Sequence, residues 1–259
     1  MNWDKELSVA REASHEAGRI LNSRLGQTNQ VIKKGVIDLV TEADLQSEKT
    51  IIDIIGRHFP HDRIIAEEGG EYGHLQERVW LIDPLDGTTN FTHNFPFFAV
   101  SIALEVEKEL VVGTVFNPST DEYFEAVKGR GSYLNDHPIS VSQTERLGDA
   151  LLATGFPYDI HENPDRVLER FKRMIVRAQG IRRPGSAAID LCYVAAGRFD
   201  GFWEEGLKPW DTAAGILIVE EAGGRVSTYE GESCSPFSKN IVASNSLIHS
   251  EMTPLLRSE

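Results

Sequence analysis

The chain has 259 residues, of which 41% are hydrophobic and 25% charged, an ordinary make-up for a globular protein that buries a full core. Its formal net charge of −14 excludes the basic field of a nucleic-acid-binding surface, and no apolar run approaches membrane-spanning length. The same charge does not exclude a phosphorylated ligand, because bound cations turn a carboxylate-lined site into an anion receptor.

Trp3, Leu7, Ala10, Ala17, Ile20, Leu21 and Leu25 recur at helical spacing and predict an amphipathic helix over 3–25, with no signal peptide in its charged start. Residues 43–58 repeat the pattern through Leu45, Ile51, Ile52, Ile54 and Ile55, and Lys33 to Thr41 between them reads as polar and extended. Short apolar strands follow at 63–66, 79–82, 98–106, 110–116 and 122–127, then a Gly129-Arg130-Gly131 turn and Ser132-Tyr133-Leu134. Closely joined strands with no helix over 98–134 favour an antiparallel sheet. The class is therefore α+β or layered α/β, not a repeating βαβ array.

Beyond a polar stretch at 140–148, a strand at 150–154, a charged helix at 163–178 and a small-residue helix at 186–196 are expected. A strand at 199–204 and an apolar helix at 210–222, stopped by Gly223-Gly224, complete the reading. The polar stretch divides the chain into an N-terminal half, 1–145, and a C-terminal half, 146–259, closely packed as one functional unit. Cys192 and Cys234 have no paired spacing; Cys192 reads as a core residue, and a reducing, cytoplasmic compartment is the simplest expectation. His15, His58, His61, His74 and His93 show no metal-ligand spacing, and Phe91, Phe95, Phe97 and Phe98 read as core or subunit contact.

The most informative stretch is Trp80-Leu81-Ile82-Asp83-Pro84-Leu85-Asp86-Gly87-Thr88-Thr89-Asn90-Phe91. A buried strand ends in a turn forced by Pro84 and Gly87, and the turn holds two carboxylates. Such a pair suits a hard cation that wants oxygen ligands and keeps positions open for water and phosphate. The following Gly-Thr-Thr offers N–H groups and a hydroxyl to that phosphate. Glu67-Glu68 also ends a strand, before Gly69-Gly70, and Glu204 ends another. Asp211 opens an apolar helix beside Trp210, where burial demands a partner. Asp44 follows Thr41 at capping-box spacing, a sufficient structural reason for it, and Asp38 reads as a polar loop residue.

These residues, with Asp38-Leu39-Val40-Thr41 and Gly185-Ser186-Ala187-Ala188, make the chain resemble the inositol monophosphatase family over nearly its whole length. The resemblance implies a layered αβαβα sandwich of the sugar-phosphatase type and magnesium-dependent hydrolysis of phosphomonoesters. It implies Glu67, Asp83 and the Leu85 carbonyl at a first metal, and Asp83, Asp86 and Asp211 at a second. A third, weaker ion would share Glu67, so two to three Mg2+ ions are expected. Thr88 and Asp44 match the pair that orients the attacking water, with Glu67 beside them. Asp86, Gly87, Thr88, Arg182, Ser186, Ala187, Glu204 and Asp211 match substrate-side positions. Lithium inhibition and a homodimer are expected on the same ground.

Inositol monophosphate is the expected substrate, with fructose 1,6-bisphosphate, adenosine 3′,5′-bisphosphate, NADP and histidinol phosphate as alternatives on the same metal site. An aspartyl-phosphate phosphatase of the haloacid dehalogenase type is disfavoured, since Asp83 and Asp86 are separated by two residues and no Asp-x-Asp stands near the start. A nucleotide-dependent kinase lacks its Gly-x-x-x-x-Gly-Lys-Ser/Thr loop. A regulatory binding protein in transcription or ribosome assembly is the alternative of another class.

Overall fold

The computed structural model describes residues 2–27, 31–33, 39–73 and 77–257. Asp38, read above as a polar loop residue, and His74, read as having no metal-ligand spacing, lie outside them. The first half runs α1 (Asp4–Arg24), β1 (Val31–Lys33), β2 (Leu39–Thr41), α2 (Glu42–His58), β3 (Arg63–Ala66), β4 (Gly70–Tyr72), β5 (Arg78–Asp86) and the short α3 (Thr88–Thr92). It continues through β6 (Ala99–Val106), β7 (Glu109–Asn117), β8 (Glu122–Val127), β9 (Ser132–Leu134) and β10 (His137–Ile139). The second half holds β11 (Leu151–Thr154), α4 (Pro164–Ile175), β12 (Gly180–Arg182), α5 (Ala187–Ala195) and β13 (Gly201–Glu205). It closes with α6 (Pro209–Glu221), β14 (Arg225–Ser227), β15 (Asn240–Ser244) and α7 (His249–Leu256).

Side chains alternate across a strand, so a strand buried on both faces feeds two cores. In β5, Trp80 and Ile82 pack with the α1 and α2 side chains, whereas Val79 and Leu81 pack with α5 and α6. In β13, Phe202 joins the central core and Trp203 the outer one under α4 and α7. Five layers follow: α1 and α2, an eight-stranded sheet, α5 and α6, a five-stranded sheet, then α4 and α7. This is the αβαβα sandwich that the resemblance implied.

The larger sheet has the order β10-β9-β8-β7-β6-β5-β3-β4 and is antiparallel from β5 to β10, as the closely spaced strands required. The smaller sheet has the order β12-β11-β13-β15-β14, with β11 parallel to both β12 and β13. β14, β15 and α7 have no counterpart in the sequence reading, although β15 pairs directly with β13. The middle helices approach their neighbours closely. A Cβ on Gly113 of β7 would come within 2.9 Å of the Ala214 carbonyl, and one on Gly215 within 2.5 Å of Leu191. Cys192 is fully buried in this layer. Of the phenylalanine cluster, Phe91 and Phe98 are core and stack edge-on at 5.2 Å, while Phe95 is 50% exposed.

Candidate active site

The site begins with the pleat. Asp83 and Asp86 are three residues apart and would point to opposite faces of a regular strand. Across the β5–β6 pair, however, Asp83 faces Ser101 and Asp86 faces Ala99, so three steps on β5 match two on β6. The extra residue is a β-bulge at Pro84–Leu85, where proline has no N–H to give to a ladder, and it turns both acids to the same side. Gly87 then takes φ of 97°, the left-handed conformation that favours glycine, and lets α3 start at Thr88. A Cβ on Gly87 would also lie 3.0 Å from the Phe97 carbonyl.

Four aspartates at this end are each held by a protein donor. The Leu85 N–H donates to Asp83 Oδ1 at 2.9 Å. Ser186 Oγ and the Ala188 N–H, at the start of α5, donate to Asp86 Oδ2 at 2.6 and 2.7 Å. The Lys208 N–H donates to Asp211 Oδ2 at 2.7 Å, at the start of α6. Asp44 sits in the first turn of α2, where its Oδ2 accepts from the Thr41 N–H at 2.8 Å, so the expected capping box is formed. Its other oxygen is within hydrogen-bond distance of Thr88 Oγ1 at 3.2 Å, and that hydroxyl also lies 3.1 Å from the Leu85 carbonyl. One residue thus caps a helix and supports the site.

The electrostatics are those of crowded, buried acids. Burial pushes Asp83 well above the usual carboxylate range, with the charges of Glu67, Asp86 and Asp211 adding to it. Burial raises Asp44 and Asp86 to about 6, and Asp211 and Glu204 to about 8. Like charges this close call for a cation or for protons.

One cavity gathers Glu67, Asp83, Leu85, Asp86, Gly87, Thr88, Ser186, Ala187, Glu204 and Asp211 on its wall. Asp44 stands behind Thr88, fully buried. Arg182 is not on that wall. It is the last residue of β12, exposed, with its guanidinium on the Ile181 carbonyl. Arg183 takes the position instead. The sequence reading also missed Asp190, on the α5 face that bears Ser186, and Gly155 and Phe156 after β11. The four-residue spacing from Ser186 to Asp190 was the available signal for one of them. Among the described residues no group of three His, Cys, Asp or Glu side chains is placed so that it could hold a metal ion as it stands. Among the described residues no helix is long and apolar enough to cross a membrane.

Comparison with known proteins agrees with this geometry. The inositol monophosphatase family model matches residues 2–259. A Synechocystis protein named inositol-1-monophosphatase is 47% identical over 255 residues, 96% of this chain and 88% of that one. Nus factor SuhB of Escherichia coli K12 is 41% identical over 256 residues, 98% of this chain and 96% of its own. The solved structure of inositol monophosphatase from Anabaena sp. PCC 7120 superposes with a TM-score of 0.91 at 42% identity, covering 99% of this chain and 96% of that one. The chain belongs to the inositol monophosphatase family and is a phosphatase.

Proposed function

We propose that the chain is a magnesium-dependent phosphomonoesterase whose substrate is an inositol monophosphate. Phosphatases of this family are metal-dependent. The observation that carries the choice of ion is the donor set: carboxylates and one backbone carbonyl, all oxygen, with no histidine or cysteine among the described residues of the wall. Glu67, Asp83 and the Leu85 carbonyl would hold one ion, and Asp83, Asp86 and Asp211 a second. When bound, the ions supply positive charge to the phosphate and lower the pKa of a coordinated water.

The chain's own residues do the rest. With its hydrogen on Asp44 Oδ1, Thr88 Oγ1 turns its lone pairs to the cavity and accepts from the attacking water. Glu67 accepts that water's second hydrogen. Gly87 and Thr88 present backbone N–H groups to the phosphate. Ser186 and Ala188 fix Asp86 by the two hydrogen bonds above, so the acid costs no reorganisation at the moment of reaction. Arg183, Ala187 and Glu204 line the side where the alcohol sits. Positioning and charge neutralisation account for most of the catalysis in phosphoryl transfer.

The test is phosphate release from inositol 1-phosphate, fructose 1,6-bisphosphate, adenosine 3′,5′-bisphosphate, NADP and histidinol phosphate, with magnesium and then with EDTA. Release that needs magnesium and is strongest on inositol 1-phosphate supports the reading. Strength on another member replaces the substrate, and release undiminished by EDTA removes the metal. The likeness to Nus factor SuhB favours a second reading, a regulatory partner in transcription or ribosome assembly. A pull-down with a D86N variant separates it from catalysis, since a partner kept by the inactive enzyme binds independently of turnover.

A further inference from the structure

The wall across the cavity from β5 carries an acid that the chemistry above leaves unused. Asp190 lines the cavity and is 1% exposed. Its Oδ1 is buried and has no hydrogen-bond partner among the described residues. Tyr123, Glu125 and Thr212 also carry such an atom, but none of them is on the cavity wall. Asp190 stands one helical turn after Ser186, and its N–H donates to the Ser186 carbonyl at 3.0 Å. Ser186 is the N-cap of α5, and both residues line the cavity.

The charged neighbours of Asp190 are Glu204, Asp86 and Arg183. Glu204, at the end of β13, is 8% exposed and likewise receives no hydrogen bond from a protein donor among the described residues. Its carboxylate lies directly over Gly155, where a Cβ would be 2.1 Å from either oxygen. Two buried acids therefore share a corner, and the described residues supply hydrogen-bond donors to neither. Buried acceptors are rarely left so, because an unmade hydrogen bond carries the full cost of desolvation. A carboxyl group has oxygens that accept whether or not one of them carries a proton, so the corner offers acceptor sites to donors on the ligand. Neutral hydroxyl groups fit it.

Resting on the phosphomonoesterase reading, we infer that Asp190 is a specificity-determining residue. Beside Glu204 it accepts hydrogen bonds from ring hydroxyls of the alcohol, and so selects polyol phosphates over phosphomonoesters without hydroxyls.

The experiment compares inositol 1-phosphate with cyclohexyl phosphate, the same ring without its hydroxyls, in the magnesium-loaded wild type and in D190L and D190N. In D190L, kcat/KM should fall about 10- to 100-fold on inositol 1-phosphate and by less than about threefold on cyclohexyl phosphate. D190N keeps the shape of the side chain and guards against misfolding. It should lose about 3- to 10-fold on inositol 1-phosphate, and nothing on at least one monodeoxy analogue, since an absent hydroxyl leaves no contact to lose. Equal losses on both alcohols, no loss on either, or a D190N loss unchanged across all monodeoxy analogues overturns the inference and leaves the phosphatase reading standing. A wild type that cleaves cyclohexyl phosphate but not inositol 1-phosphate overturns the substrate reading and this inference with it.

Discussion

The two walls of the cavity are built differently. On the β5 side the acids are tied down: Asp83 by Leu85, Asp86 by Ser186 and Ala188, Asp44 by Thr41. On the α5–β13 side Asp190 and Glu204 receive no protein donor among the described residues. Acids that must hold cations at fixed spacing are pre-organised by the backbone, so that no ordering is left for the reaction. Acids that recognise an alcohol are left for the ligand to satisfy. On the reading proposed above, one wall serves rate and the other choice of substrate.

The largest test of that division is Asp86→Asn. We expect turnover to fall about 10³-fold or more on every phosphomonoester, as for loss of a group that stabilises transition-state charge. The melting temperature should stay within a few degrees of wild type. Near-normal phosphate release from this variant would break the assignment of the β5 wall to catalysis.

Next comes Thr88→Ala, which removes the hydroxyl next to Asp44 and should lower kcat about 10²-fold with little change in KM. Thr88→Ser keeps the hydroxyl and should recover most of the rate. If serine is no better than alanine, the hydroxyl does not orient the water.

On the second wall, Gly155→Ala puts a methyl group where the Glu204 carboxylate now sits. The backbone there needs no left-handed angle, so the chain should fold. Activity on inositol 1-phosphate should drop about tenfold, and cyclohexyl phosphate should be nearly indifferent, the size expected for one displaced hydrogen-bonding group. An equal drop on both would place Glu204 with the first wall.

A last test, on stability and not on activity, concerns the footing of β13. Its neighbour β15 carries Ser244, whose hydroxyl is 2.8 Å from His249 Nδ1, while Ser227 of β14 is 2.8 Å from Nε2. Burial, aided by Arg225, holds the His249 pKa down to about 4. Above about pH 6.5 the ring is neutral folded or unfolded, and it contributes no slope. As pH falls from there towards 4, the unfolded chain takes a proton that the fold refuses, and stability drops. The advantage of wild type over His249→Asn should shrink by up to about 3 kcal/mol across that window. Thermal melts at several pH values check this; parallel profiles for the two proteins would reject it.

Much of the first wall was legible in the sequence because its cues are local. The apolar run, Pro84, Gly87 and the Thr41–Asp44 spacing each act within a few residues, and they place the strand end, the turn and the capped helix. The antiparallel order of β6 to β9 follows from short connections for the same reason. The second wall was less legible. Arg182 and Arg183 are adjacent and chemically alike, and which one meets the cavity depends on where β12 stops in its pleat.

By itself, then, the sequence determined the layered class, the acidic strand end and the family. Tertiary structure alone decided that a bulge turns Asp83 and Asp86 to one face, and that Ser186, 100 residues away, locks the second of them. It also decided that β15 supports β13 and that Asp190 and Glu204 meet with no donor among the described residues. Side-chain periodicity is a property of a few consecutive residues, whereas a cavity corner is made where distant elements pack, and that packing is settled by the core as a whole.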